Sequence, residues 1–169
     1  MEGEEFIMTE KQDELKISAG IQKFIDKMGL YYESYGIPRI GGRILGLLLT
    51  ASEPISAEAI SKTLQVSRSS VSTNVRLLIT IGMLDITQKP QDRTDYFILS
   101  DEAWVNAIRL RIQGFQELNR IVEQGRQAME STGQTGNTKL QELEKWSEMM
   151  QNLHQHALEE WNGPNNQGK

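Results

Sequence analysis

Between Ser56 and Leu99 the spacing of apolar residues changes once, and that change restricts the possible fold more than any other feature. Up to Gly82 apolar residues recur at helical spacing. Beyond it, Leu84 and Ile86 alternate with polar residues, a polar tip runs from Lys89 to Thr94, and Tyr96 to Leu99 is strand-like. The helical part is itself divided. Ser56 stands as an N-cap with Ile55 and Ile60 placed as a hydrophobic staple, and Ile60 and Leu64 face inward before the run breaks at Gln65. Ser67 then caps a second helix, with Val66 and Val71 as its staple and Gly82 as its stop. Two short helices joined by a tight turn and followed by a hairpin form a winged helix-turn-helix.

The second of these helices, VSRSSVSTNVRLLITIG, is two-faced. At about 100° per residue Val71, Val75 and Leu78 share one side, while Ser69, Thr73, Arg76 and Thr80 share the other, which holds no acid. Small hydroxyls and an arginine let a backbone come close to phosphates and base edges and supply the donors and acceptors needed there. A solvated helix face has the same composition, so the neighbourhood must decide. Ser67 and Arg68 are assigned to phosphate, and Ser69, Thr73 and Arg76 to bases, with Ser72 beside them. The hairpin tip KPQDRT adds Gln91, Asp92 and Thr94 together with two cations, Lys89 and Arg93, suited to a sugar-phosphate backbone or a minor groove. Alone it would read as an ordinary charged turn; its place directly after a helix-turn-helix favours DNA.

Charge supports that choice. The net charge of -5 argues against nucleic acid, but the local balance is -4 over residues 1–37, +2 over 38–100 and -3 over 101–169. The positive segment holds the reading helix. There is no cysteine, which excludes disulfides, thiolate metal sites and a thiol nucleophile. His154 and His156, the only histidines, sit at i and i+2 and diverge on a helix, and no phosphate-binding glycine motif is present. No catalytic residue, metal or cofactor is expected. The acidic start MEGEEFIMTE lacks a secretory signal's pattern and the longest apolar run is too short for a bilayer, so a cytoplasmic protein with no membrane partner is expected.

Long helices flank the winged segment. Thr9 and Gln12 match a capping box, and apolar residues from Ile17 through Ile21, Phe24, Met28 and Tyr31 to Tyr35 predict one helix ending at Gly36, Ile37 and Pro38. Arg39 to Ala51 reads as a buried helix whose Gly41, Gly42 and Gly46 permit close approach. Downstream, Ser100 is the expected cap of a helix whose seam runs through Trp104, Ile108, Phe115, Leu118, Val122 and Met129. After the loop at 131–137, Thr138 and Gln141 suggest a capping box, followed by a last helix with Leu143, Trp146, Met150, Leu153 and Ala157 in its seam. The expected fold is mainly α with a small β-hairpin wing. Residues 1–37 form an N-terminal dimerisation or support helix, 38–100 the DNA-binding domain, and 101–169 a C-terminal helical dimerisation region. An intramolecular bundle in a monomer is the alternative use of the same helices.

The stretch from Gly36 to Leu99 resembles the MarR-like winged-helix regulators, and within them the GbsR-type branch. The resemblance is carried by Gly36, Pro38 and Arg39, GRILGLLL at 42–49, VSRSSVST at 66–73 and the pair Asp92 and Arg93. It implies a homodimeric bacterial transcription factor, usually a repressor, binding double-stranded DNA, with the aspartate and arginine stabilising and inserting the wing. Two departures stand out: Gln65 and Gln91 occupy positions where glycine is common, which bears on backbone strain and tip shape. The branch also suggests a quaternary ammonium effector held by Tyr31, Tyr32, Tyr35, Trp104 and Trp146, although core packing accounts for the same aromatics. The competing function is a winged helix used for protein contact without sequence-specific DNA binding; Arg68, Arg76, Lys89 and Arg93 weigh against it.

Overall fold

A computed structural model describes residue 15, residues 17–133 and residues 138–163. Among them the chain is mainly helical, with one small antiparallel sheet. Six helices and three strands follow in the order α1 Ala19–Glu33, α2 Arg39–Thr50, β1 Ile55–Ser56, α3 Ala57–Leu64, α4 Arg68–Thr80, β2 Leu84–Thr87, β3 Tyr96–Leu99, α5 Ala103–Ser131 and α6 Thr138–Trp161. They divide into two compact units, residues 1–100 and 101–169.

In the first unit α1 starts later than periodicity suggested. Ser18 is its N-cap, its hydroxyl accepting from the Ile21 amide at 3.3 Å, so Ile17 precedes the helix instead of opening its stripe. The Thr9 and Gln12 capping box lies outside the described residues. Leu15 is tied elsewhere, its amide donating to Thr63 Oγ1 of α3 at 3.0 Å. Gly36 closes the link to α2 at a φ of +86°, the left-handed region glycine enters without strain. The glycines of α2 do what their spacing implied. A Cβ on Gly42 would fall 2.8 Å from the Met28 carbonyl oxygen and 2.9 Å from the Gly29 Cα, so two glycines meet where α1 and α2 cross. Ile25, Ile44, Leu45, Leu47, Ile60, Leu64, Val71, Leu78 and Leu84 make the core that this close crossing closes.

The sheet has order β1-β3-β2, with Leu84 opposite Leu99, Ile86 opposite Phe97, and Ile55 also opposite Phe97. β1 was hidden in the sequence because its second residue also serves α3: Ser56 pairs with Tyr96 and caps the helix, accepting from the Ala59 amide at 3.2 Å. Ile86 does not repeat the burial of Leu84. It is 50% exposed on edge strand β2, and Phe97 of the central strand is buried in its place. Ser100 is not the cap of α5 either; its amide donates to the Met83 carbonyl at 3.0 Å and extends the hairpin, and Glu102 stands at the helix start without a side-chain cap.

The second unit is the antiparallel pair α5 and α6. Its seam is more polar than the 4 and 3 spacing implied. Ser147 of α6 is fully buried and donates to Asn119 Oδ1, and Asn119 Nδ2 donates to Gln151 Oε1 at 2.8 Å. Leu143, Trp146 and Leu153, expected in the seam, are exposed, as are Trp104 and Ile121 of α5, whereas Ile112 and Val122 are buried. α6 is described from Thr138; the capping box expected at Thr138 and Gln141 borders residues 134–137, which lie outside the described residues. No described helix is long and apolar enough to cross a membrane.

Candidate nucleic-acid interface

Helix α4, the one expected to read DNA, is fixed at both ends and along one side. Ser67 accepts from the Ser70 amide at 3.1 Å, and its hydroxyl also shares hydrogen bonds with the hydroxyls of Ser69 and Ser70 at 2.9 and 2.8 Å. Gly82 ends the segment at a φ of +73°. Val71, Val75 and Leu78 are buried as their spacing required, and Ser69, Ser72, Thr73 and Arg76 are exposed together. The turn before α4 carries Gln65 at a φ of +53°, so a residue with a Cβ holds a left-handed position. The Val66 amide donates to the Ser61 carbonyl at 3.1 Å, and the Ser61 hydroxyl donates to the Val66 carbonyl at 2.6 Å, which clamps the turn from both sides.

The polar face is partly self-occupied. Arg76 folds back one turn, donating through Nη2 to the Ser72 hydroxyl at 3.0 Å and through Nε to the Ser72 carbonyl at 3.3 Å. Thr80 donates to the Arg76 carbonyl at 2.9 Å. Arg68 reaches Glu58 at the start of α3, Nη2 to Oε1 at 2.9 Å, and Lys62 meets the same carboxylate oxygen at 3.3 Å. One acid, which the sequence reading did not single out, thus partly neutralises two cations beside the reading helix. These exposed pairs are weak and exchangeable, worth about 0.2–1 kcal/mol each.

Asn74 was also missed, although the helical wheel places it with Val71 and Leu78. It is buried on the inner side of α4, where Nδ2 donates to the Ser70 carbonyl at 2.9 Å and Oδ1 has no hydrogen-bond partner among the described residues. That oxygen lies against Gly41 of α2, where a Cβ would come within 3.0 Å of it.

The wing gathers its polar residues around Asp92 and Tyr96. Lys89, Pro90, Gln91 and Asp92 form a turn closed by the Asp92 amide donating to the Lys89 carbonyl at 3.1 Å. Proline second and a left-handed residue third, Gln91 at a φ of +65°, are the pattern of a type II turn, which explains why glycine is the easy choice at that position. Asp92 Oδ1 accepts from the Thr94 amide at 2.8 Å and Oδ2 from the Tyr96 hydroxyl at 2.9 Å. The same ring carries Lys89, whose Nζ stands 4.7 Å from its centroid. The hydrogen bond to Asp92 is the main cause that holds the Tyr96 phenol above its ordinary pKa, with desolvation and the Asp92 charge adding to it. Tyr96 therefore stays a donor at neutral pH. Arg93 and Thr94 are exposed at the tip.

The aromatics assigned to an effector fall in both units. Tyr31 meets Tyr32 edge-on at 5.3 Å and Tyr35 at 4.9 Å near the end of α1, and burial raises the Tyr32 phenol pKa, with Tyr31 adding to the shift. Trp104 and Trp146 belong to the helical pair, where Trp146 packs edge-on against Phe115 at 5.6 Å.

Residues 43–92 match a family model described as an HTH domain. The HTH-type transcriptional regulator MmpR5 of Mycobacterium tuberculosis is 31% identical over 147 residues, spanning 86% of this chain and 89% of that protein. A crystal structure of a transcriptional regulator is 32% identical with a TM-score of 0.71, covering 84% of this chain and 97% of that one. With a capped reading helix, a three-stranded wing sheet and a relative similar along nearly its whole length, this chain belongs to the MarR family of DNA-binding, winged helix-turn-helix transcriptional regulators.

Proposed function

We propose that the protein is a cytoplasmic homodimeric repressor that reads a pseudo-palindromic operator, each α4 entering one of two successive major grooves about 34 Å apart while the wings track the flanking backbone. The exposed, acid-free row Ser69, Ser72, Thr73 and Arg76 on a helix whose other side is locked into the core carries this reading. Arg76 has to leave Ser72 to reach a base, and both of its contacts are exposed and exchange with water at little cost. Ser67 and Arg68 stand at the helix start facing phosphate, and Lys89, Gln91, Asp92, Arg93 and Thr94 supply or shape the wing contact. Dimerisation is supported by the apolar residues left exposed on the α5 and α6 pair, among them Ile121, Trp146, Met149 and Leu153, more than a small monomer ordinarily leaves in water.

A place in the GbsR-type branch, and with it relief of repression by a quaternary ammonium effector, rests on the resemblance over residues 36–99. The tyrosine trio at the end of α1 supplies a cation-attracting surface that suits such a ligand.

Gel-shift titration of the full chain against its own upstream DNA tests the DNA reading. Arg76→Ala is expected to weaken binding by about 1–3 kcal/mol and to relax preference at one base pair. Arg93→Ala should weaken it evenly across sequences. Unchanged binding by both variants, or no binding by the wild type at low salt, would overturn the assignment in favour of a protein-contact module.

A further inference from the structure

We propose that Tyr96 is the positioning residue of the wing: its ring holds the Lys89 ammonium and its hydroxyl holds the Asp92 carboxylate, so that the hairpin presents a preset cation to the sugar-phosphate backbone. The inference rests on the DNA-binding reading of the wing given above.

Tyr96 is suited to this by where it grows. It lies on β3, the central strand, paired with Ser56 on one side and Thr87 on the other, so its backbone is held from both edges of the sheet. The tip it serves has no glycine and keeps Gln91 in a left-handed conformation, so it depends on contacts from outside the turn. Tyr96 supplies two. Its hydroxyl donates to Asp92 Oδ2 at 2.9 Å while the Thr94 amide occupies Oδ1, so both oxygens of the acid are engaged within the hairpin. Its ring face lies 4.7 Å from Lys89 Nζ, within cation-π range.

A lysine side chain loses rotamer freedom when it grips a phosphate, and a cation already resting on a ring loses less. The ring leaves the ammonium's N–H donors available, since it attracts the charge without accepting strong hydrogen bonds. Tyr96 therefore acts on DNA through Lys89, without touching the duplex itself.

The test separates the two contacts. Fluorescence-anisotropy titrations of the full chain on its own upstream DNA are run over a range of salt for wild type, Tyr96→Phe, Tyr96→Leu, Lys89→Gln and the Tyr96→Leu, Lys89→Gln double variant. Lys89→Gln is expected to lower the salt slope by about one per wing, and Tyr96→Leu to lower it nearly as much. The double variant should lose no more than Lys89→Gln alone, and Tyr96→Phe, which keeps the ring under Lys89 but releases Asp92, should keep the wild-type slope while binding more weakly than wild type and more tightly than Tyr96→Leu. A wild-type slope in Tyr96→Leu, or losses that add in the double variant, would overturn the proposal. A wild type that does not bind removes the DNA reading itself, a different outcome from wild-type binding with an unaltered Tyr96→Leu slope. An NMR readout stands independent of the leucine variant's folding: the Lys89 ε-methylene protons should shift upfield in wild type and Tyr96→Phe. Random-coil shifts there in the wild type would also overturn it.

Discussion

Glu58 shows how much a single side chain can tune this surface. It is an acid on the positive segment, it touches both Lys62 and Arg68, and each cation it holds is one that a phosphate would otherwise attract. Replacing it by glutamine frees Arg68 and removes a negative charge near the duplex. Glu58→Gln is expected to tighten DNA binding by about 0.5–1 kcal/mol at low salt and to steepen the salt dependence, measured in the same titrations. Tyr96 gives a pH expectation. Its folded pKa lies above the ordinary phenol value of about 10, so the contribution of its bond to Asp92 is complete below that pH and lost as pH rises through the higher folded value. Wing-dependent binding should therefore not vary with this group at neutral pH, and in a phenolate absorbance titration the signal that Tyr96→Phe removes should lie above the ordinary phenol range. The cap at Ser67, set by near neighbours in the chain, was legible in the sequence, and the resemblance marked Gln65 and Gln91 as standing where glycine is common. The roles of Glu58, Asn74 and Tyr96 were not legible: Arg68 reaches Glu58 only across the turn between α3 and α4, Gly41 of α2 comes against Asn74 only through packing, and the folded hairpin brings Lys89 over the Tyr96 ring.

Elements divide along the same line. The stop at Gly82, the cap at Ser56 and the packing glycines of α2 follow from local pattern and were read from it. The start of α1 at Ser18 and the strand β1 were not: apolar spacing continues through Ile17 without a break, and two residues are too few to show a strand period. The α1 and α2 crossing carries the sharpest expectation for an element. Gly42→Ala gains helix propensity of about 1 kcal/mol but puts a Cβ against the backbone of α1 at Met28 and Gly29, an overpacking of about 1–3 kcal/mol. The net result should be a lower melting temperature by circular dichroism. Gly114→Ala, in α5 with nothing within 4 Å of the added Cβ, has only the propensity gain and should raise stability by about 0.5–1 kcal/mol. Opposite signs for one substitution in two helices would separate close packing from propensity.

For the whole molecule, the sequence indicated two long helices after the wing, each with an apolar stripe, and part of that stripe lies exposed on the single chain. Leu153 is 58% exposed and Met149 59%, while the residues turned inward include Ser147. Apolar spacing identifies a sticky stripe without saying what it sticks to: within the unit the pair is joined by buried Ile112 and Val122, by Phe115 against Trp146 and by the Asn119, Ser147 and Gln151 hydrogen bonds, and the rest of the stripe faces outward. If the outward stripe is the dimer surface, Leu153→Glu should produce monomers in sedimentation experiments and weaken operator binding, with helix content preserved. The polar seam has a mechanical consequence. Asn119 satisfies Ser147 and Gln151 at once, and sliding α6 along α5 by one turn, about 5.4 Å, would strip all three of their partners together. Oil-like seams creep; this one has a detent. A shift of register between α5 and α6 therefore costs both hydrogen bonds of Asn119 at once, which marks one preferred alignment of the pair.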